Sequence, residues 1–112
     1  MLTMIIAAGY AQTSVVANPQ DTLTVFRAKI DRLDKEIIDL LGERMEAARA
    51  IGIYKMVHKV EVVQSNRFNE VLQRAVDHGK SKGLSEAFIK ELYEDIHKES
   101  IRQQEALKNG VK

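Results

Sequence analysis

The sequence contains no cysteine and no tryptophan, and it has one proline and six glycines among 112 residues. The absence of cysteine excludes disulfides and thiolate metal sites. Because proline and glycine are scarce, and because 29% of residues are charged while only 5% are aromatic, we predict an all-helical fold. The length is that of a single domain with a modest core.

A charge excess of one sign is also missing, since 17 Lys and Arg residues nearly balance 16 Asp and Glu residues. This balance gives no indication of a nucleic-acid groove or of binding to an acidic membrane surface. There is no run of 18 apolar residues, so we predict no membrane span. The histidines at 58, 78 and 97 lack the spacing of metal ligands, and we therefore expect no metal.

The first 20 residues carry no charged side chain, and residues 2–8 form a short apolar run. Gly9, Tyr10 and Ala11 place small residues where a signal peptidase would cut, but the basic segment that begins a signal peptide is missing. Two interpretations stay open: a trimmed signal peptide on a periplasmic or secreted protein, or an N-terminal extension on a cytoplasmic one. In both cases we exclude residues 1–20 from the fold and assign residues 21–112 to one helical domain.

A long amphipathic helix is predicted from about residue 21 to residue 58. Apolar residues recur every three or four positions from Leu23 to Ile51, which marks one stripe of a helix. We expect Pro19 to interrupt the chain before it, and Asp21 or Thr22 to act as its N-cap.

The length of this helix predicts a dimer. About 35 residues at 1.5 Å each give a rod of roughly 50 Å, whereas a compact chain of this size has a radius of gyration near 13 Å. We therefore expect a second chain along the rod. Gly42 and Gly52 each cost about 1 kcal/mol in a helix interior, which indicates close packing at one or both.

Two further helices are predicted after a β-branched linker at residues 59–63. The second begins near residues 64–66 and stops before Gly83, and Ser85 caps the third. Their inward faces are expected to carry Phe68, Val71, Leu72, Ala75 and Val76 on the second helix, and Phe88, Leu92, Ile96 and Leu107 on the third.

Polar side chains also fall on the inward faces of the first and third helices. Arg44 and Lys55 are eleven residues apart, so they lie within roughly 20° of each other around the first helix. Burying a cation costs several kcal/mol unless it meets an anion, so this pair predicts an anionic partner. On the third helix Ser100 and Gln104 lie one turn apart, and His97 precedes them at a pocket edge or in the core.

Five motifs follow one another along the three predicted helices. They are Leu23-x-x-Phe26-Arg27-x-x-Ile30-Asp31-x-Leu33-Asp34, Leu41-x-x-Arg44-Met45, Ile51-Gly52-x-Tyr54-Lys55, Gln64-x-x-Arg67 and Ile96-His97-x-Glu99-Ser100-Ile101-x-x-Gln104. With these motifs in this order, the segment from about residue 22 to residue 109 resembles the all-helical chorismate mutases, and is most similar to mutase domains that other bacteria fuse to the first shikimate-pathway enzyme. The resemblance implies a long-short-long chain of three helices in an intertwined homodimer. It also implies conversion of chorismate to prephenate in aromatic amino acid biosynthesis.

The resemblance also implies roles for individual side chains. Arg44 would hold one substrate carboxylate, with support from Arg67, while Lys55 and Gln104 would donate to the ether oxygen. This reaction needs no cofactor. Because the amide of Gln104 is neutral, we predict activity that is nearly flat around neutral pH.

Arg27 would bind the second carboxylate, and Ser100 and Gln64 would complete the lining. Arg27 lies 17 residues before Arg44, roughly 25 Å along the axis, so we expect it to reach into the partner's pocket. Where many family members carry a Glu for the ring hydroxyl, this chain has Phe68, and we expect this loss to weaken binding more than it slows the chemistry.

Alternatives to the mutase stay open. An isochorismate pyruvate-lyase could use the same carboxylate clamps, and a non-catalytic dimerisation or regulatory module could keep only the shape. Taken singly, Arg27 is typical of a solvated residue paired with Asp31 four positions later. Arg44 could pair with an acidic residue on a partner helix, for example Asp39 or Glu43.

Overall fold

A computed structural model of the chain describes residues 19–62 and 65–110, and within these residues it contains three α-helices and no strand. Helix α1 spans Pro19–His58, α2 spans Ser65–Ser81 and α3 spans Glu86–Lys108. The prediction of an all-helical chain with three helices is confirmed. The proposed signal peptide lies outside the described residues. Among those described, no helix combines the length and the apolar character that crossing a membrane requires.

Helix α1 begins at Pro19, so the expectations that Pro19 interrupts the chain and that Asp21 or Thr22 is the N-cap are wrong. Proline is compatible with the first turn because the N–H groups there have no partner within the helix. Asp21 lies inside that first turn, where the positive end of the helix dipole stabilises its carboxylate.

The chain divides into two units, Met1–Leu41 and Gly42–Lys112. In the first, the described part of α1 exposes a row of apolar side chains at helical spacing, here called the α1 stripe. Its members are between 39% and 55% exposed in the single chain, although the repeat of three and four positions is that of a packed face. The α1 stripe consists of Leu23, Phe26, Ile30, Leu33 and Ile37.

In the second unit, a small core forms from the end of α1 together with α2 and α3. Its buried apolar side chains are Met45, Ala48, Val76, Ile89 and Ile96.

The inward face of α3 agrees with the prediction at Ile96, which is buried, but differs from it nearer the start of the helix. Phe88 and Leu92 are 52% and 37% exposed, so their predicted places on the inward face are wrong. Ile89, in contrast, is only 4% exposed. Ile89 packs over Gly79 of α2, where an added Cβ would lie 2.7 Å from Ile89 Cγ1. Because Gly79 has no side chain, α2 leaves space at this position. Ile89 fills that space and is therefore the residue that points inwards.

The two glycines inside α1 have different surroundings. Gly52 is buried, and a Cβ there would lie 2.9 Å from Cγ of Gln104, so the predicted close packing is confirmed at this position. A Cβ at Gly42 would meet nothing within 4 Å. Gly52 therefore lets α1 approach α3 at the level of Gln104.

The helix ends are formed by turns and a cap. After α1, Lys59 adopts a positive φ of 58°, and the Val60 N–H donates to the Lys55 carbonyl at 2.8 Å. Gly83 supplies the positive φ between α2 and α3. Ser85 caps α3 as predicted, because its Oγ accepts from the Phe88 N–H at 3.2 Å.

Candidate active site

A pocket of about 450 Å³ lies within the second unit and is lined by side chains from all three helices and by Val62. This volume is in the range of sites for small molecules. The structure brings five of the sequence-predicted residues together in its lining: Arg44, Lys55, Arg67, Ser100 and Gln104.

Two further residues were predicted for this site, Arg27 and Gln64. Arg27 belongs to the first unit, where it is exposed, and it forms no ion pair with Asp31 or with any other described residue. Gln64 lies outside the described residues.

The guanidinium of Arg44 is held from α3. Its Nη1 donates to Ser100 Oγ at 3.2 Å, and its Cζ lies 6.0 Å from the centre of the Tyr93 ring. Ser100 Oγ donates in turn to the Ile96 carbonyl at 3.0 Å. Within the described residues, Arg44 has no carboxylate partner. The alternative of an ion pair with an acidic residue on a partner helix stays a prediction.

Lys55 is half-buried near the end of α1, and its Nζ donates to the Val62 carbonyl at 2.8 Å. The turn at Lys59 makes this contact possible because it redirects the chain after α1. An ammonium has three hydrogens to donate, so two remain for a ligand. Arg67, near the start of α2, is an exposed member of the lining and has no hydrogen bond to a described residue.

Gln104 is only 7% exposed, which is unusual for a polar side chain. Its Nε2 donates to the Ala48 carbonyl at 2.7 Å. This bond uses one of the two amide hydrogens and fixes the amide plane, so the second hydrogen remains as a preoriented donor. The close approach at Gly52 is what allows the contact between α3 and the α1 backbone.

Tyr93 also lines the pocket, and the sequence analysis did not identify it. Tyr93, His97, Ser100 and Gln104 follow one another at steps of four, three and four residues, which places them on one face of a helix. The prediction already placed His97, Ser100 and Gln104 on the inward face, and their spacing was the signal that could have added Tyr93 instead of Leu92.

Phe68 and His97 form a stacked pair in the pocket wall, with ring centroids 4.1 Å apart and planes 20° from parallel. Burial lowers the pKa of His97 below its ordinary value of 6.5, and the positive charge of Arg44 lowers the pKa further. The imidazole is therefore neutral at pH 7.

The charged side chains that the structure describes in the lining are all positive. They are Arg44, Lys55 and Arg67, and no described residue of the lining is an aspartate or a glutamate. Within the described residues there is also no group of three His, Cys, Asp or Glu side chains that could hold a metal ion. The pocket is thus complementary to a small anion.

Comparison with known families gives a match of the chorismate mutase type II family to residues 26–105. The chain is 34% identical over 83 residues to a 4-amino-4-deoxychorismate mutase of Streptomyces venezuelae, covering 74% of this chain and 81% of that protein. It is 32% identical over 82 residues to the enzyme of the same name from Streptomyces pristinaespiralis, covering 73% of this chain and 64% of the relative.

A bifunctional chorismate mutase/prephenate dehydratase of Escherichia coli is 32% identical over 88 residues. The match covers 79% of this chain but only 23% of that longer enzyme.

Proposed function

Because the chain belongs to the chorismate mutase type II family, we propose that it converts chorismate to prephenate. One observation carries this proposal: Arg44, Lys55 and the buried amide of Gln104 line one pocket, and no described residue of its lining carries a carboxylate. Chorismate is a small dicarboxylate, so its charge is complementary to this lining.

The reaction requires the protein only to position the substrate and to stabilise the charge that develops on it. In a concerted [3,3] shift the ether C–O bond breaks while a new C–C bond forms, and no proton or electron passes to the protein. No nucleophile, base or cofactor is therefore needed. The enzyme must restrain the substrate in its reactive conformation and supply donors at the ether oxygen, where negative charge develops.

In the proposed mechanism, Arg44 binds one carboxylate through paired hydrogen bonds, and Arg67 adds positive charge. The bond from Arg44 to Ser100 orients the guanidinium for this role. We also propose that Gln64 completes the lining, as the family resemblance implies.

Lys55 and Gln104 are proposed to donate to the ether oxygen. Each already donates to a backbone carbonyl, Lys55 to Val62 and Gln104 to Ala48. These bonds reduce the reorganisation that the donors would undergo when charge develops, which is the main contribution of a preorganised site.

We also infer a homodimer in which a second chain covers the α1 stripe and brings its own Arg27 to the pocket. This inference is supported by the exposure of five apolar side chains on one face of α1, since contiguous apolar surface of this kind marks an interface. Arg27 lies next to Phe26 of the stripe and is exposed. It would bind the second carboxylate of chorismate across the interface.

Incubation of the purified protein with chorismate tests the proposed activity. We expect the near-ultraviolet absorbance of chorismate to fall and prephenate to appear. Salicylate and pyruvate formed from isochorismate, without turnover of chorismate, would identify a lyase instead. Loss of neither compound would indicate a non-catalytic module, although a helix pair built only for association would more naturally carry apolar residues at these positions.

Variants connect the activity to the pocket. Lys55→Ala and Gln104→Ala should each lower kcat by about 10²–10³-fold, as the loss of one preorganised donor does in other enzymes. Lys90→Ala is the matched control, because Lys90 pairs with Glu86 on the surface of α3 and does not line the pocket. Unchanged turnover in a folded Lys55→Ala variant would contradict the proposed role.

A further inference from the structure

The pocket lining combines positive side chains and the amide of Gln104 with the stacked rings of Phe68 and His97. In the mechanism proposed above, the carboxylates and the ether oxygen of the substrate contact the cations and the amide. This leaves the substrate ring for the other side chains of the lining. Phe68 and His97 are among these, so a substituent on the ring can meet them.

A positive charge on the ligand ring would be poorly accommodated in this pocket. Among the described residues, the lining contains three cations, Arg44, Lys55 and Arg67, and no carboxylate that could neutralise an ammonium. Phe68 has no polar atom, and one of its faces is covered by the imidazole of His97. A hydroxyl, in contrast, brings no charge and can form a hydrogen bond with a ring nitrogen of His97.

The difference between hydroxyl and amine is the difference between chorismate and 4-amino-4-deoxychorismate, the compound in the names of two of the relatives. An aliphatic amine is protonated at neutral pH, so the amino compound carries one positive charge more than chorismate. Attraction between that charge and the rings of Phe68 and Tyr93 is weak compared with the effect of three cations in the same cavity.

We propose that the wall formed by Phe68 and His97, which offers no carboxylate to an ammonium, determines specificity, so that this site accepts the 4-hydroxy substrate chorismate and discriminates against its 4-amino analogue. The inference rests on the proposed function and adds to it which member of the substrate class is preferred. It also means that similarity to the two aminodeoxychorismate enzymes does not extend to their substrate.

The test compares kcat/KM for chorismate and for 4-amino-4-deoxychorismate at pH 7, in the wild-type protein and in Phe68→Glu and Phe68→Leu. We expect the wild type to prefer chorismate by at least tenfold. Phe68→Glu should reduce this preference by about tenfold or more, because it introduces a carboxylate beside the ring substituent. Phe68→Leu is the matched control, since it removes the aromatic ring without adding charge, and it should keep the preference for chorismate.

Equal or better turnover of the amino compound by the wild type would overturn the proposal, and so would a preference in folded Phe68→Glu within twofold of the wild-type value. If Phe68→Glu does not fold, as judged by circular dichroism, the wild-type ratio alone decides. Calorimetric dissociation constants for both compounds separate this inference from the proposed function. Absence of turnover with tighter binding of chorismate would contradict the mutase activity but support the specificity, whereas failure to bind either compound would contradict both.

Discussion

The amide of Gln104 is oriented in the protein before any ligand is present, because its Nε2 donates to the Ala48 carbonyl and the side chain is buried. A neutral amide donates at any pH, so we expect the wild-type kcat/KM to be nearly flat around neutrality. In Gln104→Glu, a carboxylate must be protonated before it can donate to Ala48 or to the ether oxygen. Activity at pH 7 should then fall about 10²-fold and rise again as the pH is lowered.

A pH–rate profile of both proteins with chorismate checks this prediction. Circular dichroism at each pH separates loss of folding from loss of chemistry. A steep fall in wild-type activity between roughly pH 5 and 8 would count against Gln104 as the donor.

A second prediction at the residue scale concerns the pKa of His97 and its effect on stability. Its pKa is lowered below 6.5, first by burial and then by the charge of Arg44, so the folded protein binds this proton less readily than the unfolded chain does. The contribution of His97 to stability is therefore complete above about pH 6.5 and is lost as the pH falls through 6.5 towards the lower pKa of the folded state.

Titration of the imidazole by NMR should give a midpoint below 6.5, and Arg44→Ala should move that midpoint upwards. Denaturation at pH 7.5 and 5.5 should show a smaller loss of stability on acidification in His97→Gln than in the wild type. A midpoint at or above 6.5 would contradict the prediction.

At the scale of the helices, the bounds of α2 and α3 could be predicted because local signals fix them. Ser85 accepts from Phe88 as an N-cap, and Gly83 takes the positive φ that a turn after α2 requires. The face of α3 could not be chosen in the same way, since Phe88 and Ile89 are adjacent apolar residues and either could point inwards. The gap left by Gly79 decides between them, and that gap depends on where α2 lies.

Substitution by alanine should have opposite effects on stability at the two glycines of α1. Gly42→Ala places a Cβ in open space, so the gain in helix propensity should raise the free energy of unfolding by about 0.5–1 kcal/mol. Gly52→Ala places a Cβ 2.9 Å from Gln104 Cγ, and this overpacking should destabilise the protein by about 1–3 kcal/mol before the helical gain is subtracted.

Urea denaturation of both variants at one fixed protein concentration measures these changes, with each variant serving as the control for the other. Because the contact at Gly52 is with Gln104, Gly52→Ala should also reduce kcat, whereas Gly42→Ala should not. A stabilised Gly52→Ala with full activity would show that the close approach is unnecessary.

At the scale of the whole molecule, helical periodicity placed Arg44 and Lys55 on one face, and the structure places both in one pocket. The pairing of Phe68 with His97 could not be obtained in this way, because the two residues belong to different helices and meet only through the packing of α2 on α3. Helical periodicity gives the inward face of one helix, whereas the stacked pair of Phe68 and His97 forms only when two helices pack together.

The proposed dimer predicts that sites are shared between chains. If Arg27 acts in the partner's pocket, Arg27→Ala and Lys55→Ala should each be nearly inactive alone, because every pocket lacks one of the two groups. In a mixed dimer, one pocket has both groups and the other has neither. Equal amounts unfolded and refolded together should therefore recover about a quarter of wild-type activity, since about half of the dimers are mixed and each has one intact pocket of two.

The matched control is a mixture of Lys55→Ala with Gln104→Ala. These two residues line the same pocket of a single chain, so every pocket of a mixed dimer lacks one of them and no activity should return. Mass spectrometry under native conditions verifies that mixed dimers have formed in both experiments. Mixed dimers of Arg27→Ala with Lys55→Ala that stay inactive, or a wild-type protein that is monomeric in solution, would contradict the shared site. Recovery only in the Arg27 mixture would show that the second chain supplies the remaining positive charge for a doubly negative substrate.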